Sequence, residues 1–214
     1  MAKDKRQIGL VLDWETTGLR EHRVPSMSYL EGTQGIEIGA TLVWLPEVEE
    51  ISTFTSRVRF LGVHKGVQYG GDAYKHLTWS EDAERIHGIK PQDLAKEPRP
   101  SDVAEKFVSW VKTSAGIDDP HKTPIMFCGH NPDGDMYYTR QLLFFGGYEN
   151  SLRFHHRMLD TFSLGYFVLG AKSSTELFER VSGVTRKIHT AMEDSMLTTQ
   201  ALRTIYRICQ GHTK

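Results

Sequence analysis

The stretch Ile8-Gly9-Leu10-Val11-Leu12-Asp13-Trp14-Glu15-Thr16-Thr17-Gly18 decides the fold. Its first half is a short apolar run followed by turn residues, which is typical of a buried central strand. Side chains alternate between the two faces of a strand, so Asp13 and Glu15 point to the same face, about 7 Å apart. Such a pair needs either solvent at the strand end, where both acids are hydrated, or a cation that neutralises them. A hard divalent cation such as Mg²⁺ takes oxygen ligands and would serve.

Composition limits the classes of protein to consider. A chain of 214 residues suits one domain with a sizeable core. The formal net charge of −1 excludes a basic nucleic-acid-binding tail. A polyanion would therefore have to be bound by a local basic patch or through metal ions. Cys128 and Cys209 are too few for a disulfide scaffold, which predicts a reducing, cytoplasmic location. The start of the chain lacks an apolar leader segment and no apolar run approaches 18 residues, so we expect neither a signal peptide nor a membrane span.

Strand-like and helix-like segments are interleaved along the rest of the chain. Strands are predicted at residues 36–44, 52–60, 124–129 and 158–161, and helices at 81–87, 103–111 (capped by Ser101), after 129, at 174–182 and at 191–209. Residues 20–35 are predicted to form a loop. Residues 61–78 are rich in glycine and have no clear period, which predicts an irregular inserted loop. The pattern indicates a single α/β domain over residues 1–214, with a mixed sheet covered by helices.

A further acidic position follows the predicted strand at 124–129. Asn131 is a favourable N-cap and Pro132 fits the first helical position, which places Asp135 in the first turn, at position N4. A carboxylate at this position also favours the helix dipole without any further role. The local pattern alone therefore leaves the role of Asp135 open.

The last acidic position comes with a histidine. Thr190 and Glu193 form a capping box, which predicts that a helix begins at Ala191 and carries Asp194 at N4. His189 then lies just before the helix and can fold over the same edge as Asp194. In that geometry the imidazole could act as a base near a metal cluster, whereas a histidine before a helix is otherwise a surface residue.

Three motifs resemble those of the DEDDh exonucleases, relatives of the proofreading subunit of replicative DNA polymerase. They are Asp13-Trp-Glu15-Thr-Thr-Gly, Gly129-His-Asn-x-x-x-Asp135 and His189-x-Ala-x-Glu-Asp194, with weaker matches at Ile36-Glu-Ile-Gly-Ala and Ala83-Glu-Arg-Ile-His-Gly-Ile89. The likeness runs from about Gly9 to about Leu202 in the family's order. The spacing of His189 and Asp194 resembles the histidine branch of the family rather than its tyrosine branch.

The resemblance implies a ribonuclease-H-like fold with a mixed sheet of about five strands, one of them antiparallel, flanked by helices. It implies removal of nucleoside monophosphates from the 3′ end of single-stranded nucleic acid, expected to be DNA. It also implies a polymerase or another replication or repair protein as a partner. Recognition of the 2′-OH is not visible in these motifs, so an RNA-directed exoribonuclease of the same fold remains an alternative. A non-catalytic nucleic-acid-binding subunit is the other alternative.

The resemblance also implies roles for individual residues, with two divalent metal ions, Mg²⁺ or Mn²⁺, as cofactors. The implied metal ligands are Asp13, Glu15, Asp135 and Asp194, and the implied general base is His189. The residues implied to contact the 3′-terminal nucleotide are Thr16, Thr17, Gly18 and Asn131.

Three features depart from the family's pattern. Gly134 stands where the family commonly has an aromatic residue, and Asp133 adds a second candidate carboxylate. Residues 61–78 form a longer connection than is usual in the family. This segment contains side chains of the types that stack on unpaired bases and contact phosphates, namely His64, Lys65, Tyr69, Tyr74, Lys75 and His76. Two interpretations stay open: the segment is a solvated surface insertion without a role, or it holds the strand behind the 3′ end.

Overall fold

The computed structural model describes residues 6–19, 29–183 and 189–212. These residues form nine strands and six α-helices, together with two short 3₁₀ turns at Asp72–Tyr74 and Pro91–Leu94. The strands are β1 (Gln7–Thr16), β2 (Glu31–Gly32), β3 (Gly35–Leu45), β4 (Glu49–Arg57), β5 (Val63–His64), β6 (Val67–Gln68), β7 (His76–Leu77), β8 (Ile125–Gly129) and β9 (Phe154–Asp160). The helices are α1 (Glu81–His87), α2 (Pro100–Ala115), α3 (Asp133–Gly146), α4 (Thr161–Leu169), α5 (Ser174–Ser182) and α6 (Ala191–Cys209).

Five strands form the central sheet, in the order β4-β3-β1-β8-β9. β3 runs antiparallel to both of its neighbours, whereas β1, β8 and β9 are parallel to one another. The prediction of a five-stranded mixed sheet with one antiparallel strand, flanked by helices, is therefore confirmed. β1 lies in the middle and is buried over most of its length, because helices cover both faces of the sheet.

The two faces of β3 differ in the kind of side chain that they carry. Ile38 and its even-numbered neighbours join the largest hydrophobic core, to which α2 and α3 also contribute. The opposite face carries Glu37, Gly39 and Thr41 and lies against α6. A Cβ atom at Gly39 would lie 2.2 Å from the carbonyl carbon of Ala191, so a glycine is needed for this close approach. β3 thus sets the position of the start of α6.

Several predicted helix boundaries are confirmed and three are wrong. α1, α5 and α6 begin and end where the sequence predicts. α2 begins at Pro100, with Arg99 rather than Ser101 at the N-cap, and ends at Ala115 rather than at Val111. α3 begins at Asp133 with Pro132 at the N-cap, so Asn131 is not the cap residue and Asp135 is at N3 rather than N4. The N–H of Asn131 instead donates to the Asp160 carboxylate at 2.9 Å, and its φ of 59° lies in the left-handed region that Asn tolerates.

Residues 61–78 contain more regular structure than the predicted irregular loop. β5 and β6 form a small hairpin, a 3₁₀ turn follows, and β7 pairs with β2. Phe60, directly before the segment, is fully buried in a separate small hydrophobic core, where the rings of Tyr69 and Trp79 pack on it at 5.4 and 5.1 Å.

Two predictions fall partly or wholly on residues outside the described part of the chain. They concern residues 20–28 of the predicted loop at 20–35, and residues 1–5, where no signal peptide was expected. None of the described helices is long and apolar enough to cross a membrane.

Candidate active site

The carboxyl end of β1 and the start of α6 form an acidic edge. Glu15 and Asp194 are only 8% and 6% exposed. One ligand atom each of Glu15, Asp194 and the half-buried His189 lie within 4.8 Å of one another. His189 Nδ1 is 3.2 Å from Asp194 Oδ2, so the carboxylate orients the imidazole. Two buried carboxylates and an imidazole at this separation form a donor set that can hold a divalent cation.

The start of α6 is fixed to the sheet by Glu37. Its Oε1 accepts the N–H of Ala191 at 3.2 Å, and its Oε2 accepts from Arg57 Nε at 3.1 Å. Thr190 caps the same helix end by accepting the N–H of Glu193. Because Asp194 lies in the first turn, these contacts determine where its carboxylate lies.

Sequence reasoning quoted Glu37 and Gly39 only as part of a weak motif and gave them no role. The signal that could have identified them is the alternation along β3. From Gly35 to Thr41, glycine or polar residues occupy one face, and the even-numbered residues of the other face are apolar. Such a face is suited to the close approach of a helix backbone rather than to a hydrophobic core.

Asp135 reaches the acidic edge from α3. β8 pairs with β1 only as far as Val11, and beyond that point Asp135 Oδ1 accepts the backbone N–H of Trp14 at 3.1 Å. The indole N–H of Trp14 donates to Thr139 Oγ1 at 3.1 Å, one helical turn further along α3. Trp14 therefore fixes α3 through both its backbone and its side chain, and Asp135 lies next to β1.

The carboxyl group of Asp135 has an unusual affinity for protons. Its pKa is raised from 3.8 to about 7, mainly by burial and in smaller part by the negative charge of Asp194, and against the hydrogen bond from Trp14, which favours the charged form. Such a shift means that negative charge at this edge is not fully compensated by the protein's own groups. A bound cation would reverse the shift, so the electrostatics of the edge fit the two divalent metal ions that the motifs imply.

The other predicted ligands and neighbours fall as follows. Asp13 is half-buried, two residues before Glu15 on the same face of β1, and, like Asp135, lies outside the group of three within 4.8 Å. Asp133 is exposed. Asn131 is exposed and bound through its N–H to Asp160, and it does not line the cavity described next.

A cavity of about 590 Å³ adjoins the acidic edge; we call it the edge cavity. Thr17 at its wall is fully buried and held by Gln34, since its N–H donates to the Gln34 carbonyl and its Oγ1 accepts the Gln34 N–H. Thr16 and Gly18 line the same wall; their contact with a 3′-terminal nucleotide stays a prediction. A second wall, formed by Trp79, Ile86 and His87, was not predicted from the sequence.

His87 supports the first wall. Its Nδ1 accepts the N–H of Ile89 at 3.0 Å, so the ring proton is on Nε2, which faces the carbonyl of Thr16 at 3.2 Å. Burial lowers the pKa of His87, which keeps the ring neutral and preserves this tautomer. The only sequence signal for this residue was the weak match at 83–89.

The fold and site define an α/β protein with an acidic edge, whose donor groups could hold a cation, beside a ligand-sized cavity. The family model described as Exonuclease (RNase_T) matches residues 74–202, more than half of the chain. The chain belongs to this exonuclease family, and it is therefore a nuclease. Asp135, His189 and Asp194 lie within the matched residues, whereas Asp13 and Glu15 precede them. No curated protein matches the sequence.

Solved structures match nearly the whole chain at low identity. The nuclease domain of 3'hExo, a DEDDh family member bound to rAMP, has a TM-score of 0.63 and 14% identity, covering 100% of this chain and 98% of that one. The zinc-bound complex of E. coli ExoI with ssDNA has a TM-score of 0.61 and 15% identity, covering 97% of this chain and 43% of that one. The ExoI complex with a dT13 oligonucleotide has a TM-score of 0.62 and 14% identity, covering 96% and 43%. This chain thus shares the fold of DEDDh exonucleases, as the motifs predicted, and spans less than half the length of ExoI.

Proposed function

We propose that the protein is a metal-dependent 3′→5′ exonuclease that releases nucleoside monophosphates from single-stranded DNA. The observation that carries the proposal is the convergence of Glu15, His189 and Asp194 within 4.8 Å beside a ligand-sized cavity. Membership of the exonuclease family supports the reaction class. The solved structures named above, with rAMP or ssDNA bound, support a nucleic-acid substrate. The edge cavity would receive the end of that substrate, because Glu15 of the acidic edge lines it.

Two divalent metal ions, Mg²⁺ or Mn²⁺, would be held by the carboxylates of Asp13, Glu15, Asp135 and Asp194. Bound there, they would supply Lewis-acid activation of water and charge stabilisation at the leaving 3′ oxygen. The chain's own part in the proton transfer falls to His189. Because a carboxylate can only accept hydrogen bonds when ionised, Asp194 selects the tautomer with the proton on Nδ1. Nε2 is then left to take a proton from the attacking water.

Four threonines line the edge cavity, where the sugar of a 3′-terminal nucleotide would lie. They are Thr16, Thr17, Thr33 and Thr78, whose hydroxyl groups are bonded to Gly18, Gln34, Tyr138 and Gly32 respectively. A hydroxyl with one partner can form a further hydrogen bond, and Ser80 and Asp82 also line the cavity, so its wall accommodates either sugar. The proposal of DNA therefore rests on the motifs and not on this wall. RNA-directed cleavage is the alternative that the same site allows.

We also propose that the chain acts as one exonuclease domain in the cytoplasm. The central sheet draws its strands from residues 7–160, and α6 closes one of its faces, which supports a single domain. Both cysteines are free thiols, Cys128 buried and Cys209 exposed, which supports a reducing compartment.

The experiment is a comparison of 3′-labelled DNA and RNA oligonucleotides of matched sequence, with Mg²⁺, with Mn²⁺ and with chelator. We expect label release only with metal and faster release from DNA. Asp135→Asn and Asp133→Asn form a matched pair, because the two carboxylates lie two residues apart on α3 and Asp135 accepts the Trp14 N–H of β1. Loss of activity in Asp133→Asn with a mild effect in Asp135→Asn would reverse the assignment of ligands. Equal cleavage in chelator would exclude the metal-dependent mechanism.

A further inference from the structure

A second cavity, of about 340 Å³, lies between the 61–78 segment, the start of α2 and the end of α3. We call it the arginine cavity. Its volume is at the lower end of the range for ligand sites, about 300–1,000 Å³, which suits a ligand the size of one nucleotide. None of the residues of the acidic edge lines it.

The arginine cavity is basic. Arg59 and Arg99 line it, and no carboxylate does. Within the described part of the chain, neither guanidinium forms an ion pair with an acid; Arg59 is oriented instead by donating from Nε to the carbonyl of Glu97 at 2.9 Å. Of the two lysines of the same segment named as candidate phosphate contacts, Lys65 is paired with Glu81 at 2.7 Å and Lys75 does not line the cavity. The cationic groups available to an anion here are thus the two arginines.

The same cavity presents aromatic rings. Tyr69 and Tyr74 line it together with Phe145, whose ring is 5.7 Å from that of Tyr74 in an edge-on arrangement. Arginine beside tyrosine is the combination with which proteins bind single-stranded nucleic acid, because every base offers a face for stacking and every phosphate offers an anion.

One buried ring separates the arginine cavity from the edge cavity. Phe60 packs against Tyr69 of the arginine cavity at 5.4 Å and against Trp79 of the edge cavity at 5.1 Å. A strand whose 3′-terminal nucleotide occupies the edge cavity therefore has the arginine cavity within reach of its next nucleotides.

We propose that the arginine cavity binds one internal nucleotide of the substrate strand, with its phosphate on Arg59 and Arg99 and its base against the tyrosine rings. The proposal rests on the proposed function, since it assigns a further contact to the same substrate. It predicts a preference for strands long enough to fill both cavities over a dinucleotide, which fills only the first.

Two variants and one control test the proposal. Arg99→Ala removes an exposed guanidinium, Tyr74→Ala removes a ring, and Lys106→Ala removes an equal charge from an exposed position of α2 that does not line the cavity. With Mg²⁺, we expect unchanged kcat/KM on a dinucleotide for all three. On a ten-nucleotide DNA strand, Tyr74→Ala should raise KM about 5- to 150-fold, the equivalent of one lost stacking contact. Affinity falls as salt rises, and Arg99→Ala should make the slope of log affinity against log salt less steep by about 0.7. Lys106→Ala should leave this slope unchanged.

A strand with a single abasic site, moved stepwise from the 3′ end, identifies the bound nucleotide. One abasic position should weaken binding to the wild type but not to Tyr74→Ala. Equal losses on short and long substrates, or identical behaviour of Arg99→Ala and Lys106→Ala, would overturn the proposal. Competition by free AMP that depends on Arg99, without an abasic effect at any position, would overturn it in favour of a free mononucleotide. If the wild type cleaved nothing, the proposed function would fail, and binding of a fluorescent strand to the same variants would still decide the role of this cavity.

Discussion

Replacing Asp135 by asparagine tests the electrostatics of the acidic edge with little change in its packing. Asparagine has nearly the same shape, and its carbonyl oxygen can still accept the Trp14 N–H that Asp135 accepts at 3.1 Å. The substitution removes the negative charge that is buried next to Asp194. Any change in stability therefore reports mainly on that charge.

The magnitude follows from the pKa of Asp135, which is raised from 3.8 to about 7. A shift of about three pH units corresponds to at most about 4 kcal/mol, at about 1.4 kcal/mol per unit. Because the pKa is higher in the folded protein, ionisation of Asp135 destabilises the fold. The penalty grows as the pH rises from about 4 to about 7 and is constant above that. The metal-free variant should therefore be more stable than the wild type at pH 8 and nearly equal to it at pH 4.

Urea unfolding in chelator at pH 4 and pH 8 measures this difference, with Asp133→Asn as the control. Adding Mg²⁺ at pH 8 should stabilise the wild type by mass action and Asp135→Asn much less. The difference in unfolding free energy between the two proteins should therefore become smaller or change sign. The reasoning is refuted if metal-free Asp135→Asn is no more stable than the wild type at pH 8. It is also refuted if Asp133→Asn gains as much, because the effect would then be a general response to net charge.

Three further substitutions test the parts of the site. In single-turnover kinetics, His189→Ala should lower the cleavage rate about 10²- to 10⁴-fold with little loss of substrate binding. An unchanged rate would show that His189 is not the general base. Gly39→Ala should cost about 1–3 kcal/mol in urea unfolding and reduce activity, because its Cβ would lie 2.2 Å from the backbone of Ala191; a neutral result would mean that the start of α6 can move freely. Glu37→Gln keeps an acceptor for the Ala191 N–H and loses the ion pair with Arg57, so it should retain more activity than Glu37→Ala; equal activities would show that this hydrogen bond does not position the helix.

The parts of the site that the sequence predicted well are those determined locally. The capping box of Thr190 and Glu193 fixes the first residue of α6, and Asp194 then follows at N4. The apolar run before Asp13 predicts a buried β1 because a central strand of a covered sheet has no exposed face. In both cases the information lies within a few residues of the predicted feature.

Two of the failed predictions depend on contacts distant in sequence, and a third concerns a helix without a helical pattern. Asn131 does not occupy its predicted N-cap position, and its backbone N–H donates to the carboxylate of Asp160, 29 residues later. α4 was not predicted because its sequence, Thr-Phe-Ser-Leu-Gly-Tyr-Phe-Val-Leu, is apolar without a helical period. The order within residues 61–78 depends on Phe60, whose burial between Tyr69 and Trp79 no local pattern reveals.

The acidic edge is built between two anchors that lie on opposite faces of the sheet. On one face Trp14 holds α3 through Asp135 and Thr139, and on the other Glu37 holds α6 at Ala191. The carboxylates themselves repel one another, so they cannot be what keeps the edge together without metal. Burial of the indole and a buried hydrogen bond to a helix end offset that repulsion. The donor groups are therefore held in place before a cation binds. The free energy of cation binding is then not needed to fold the site.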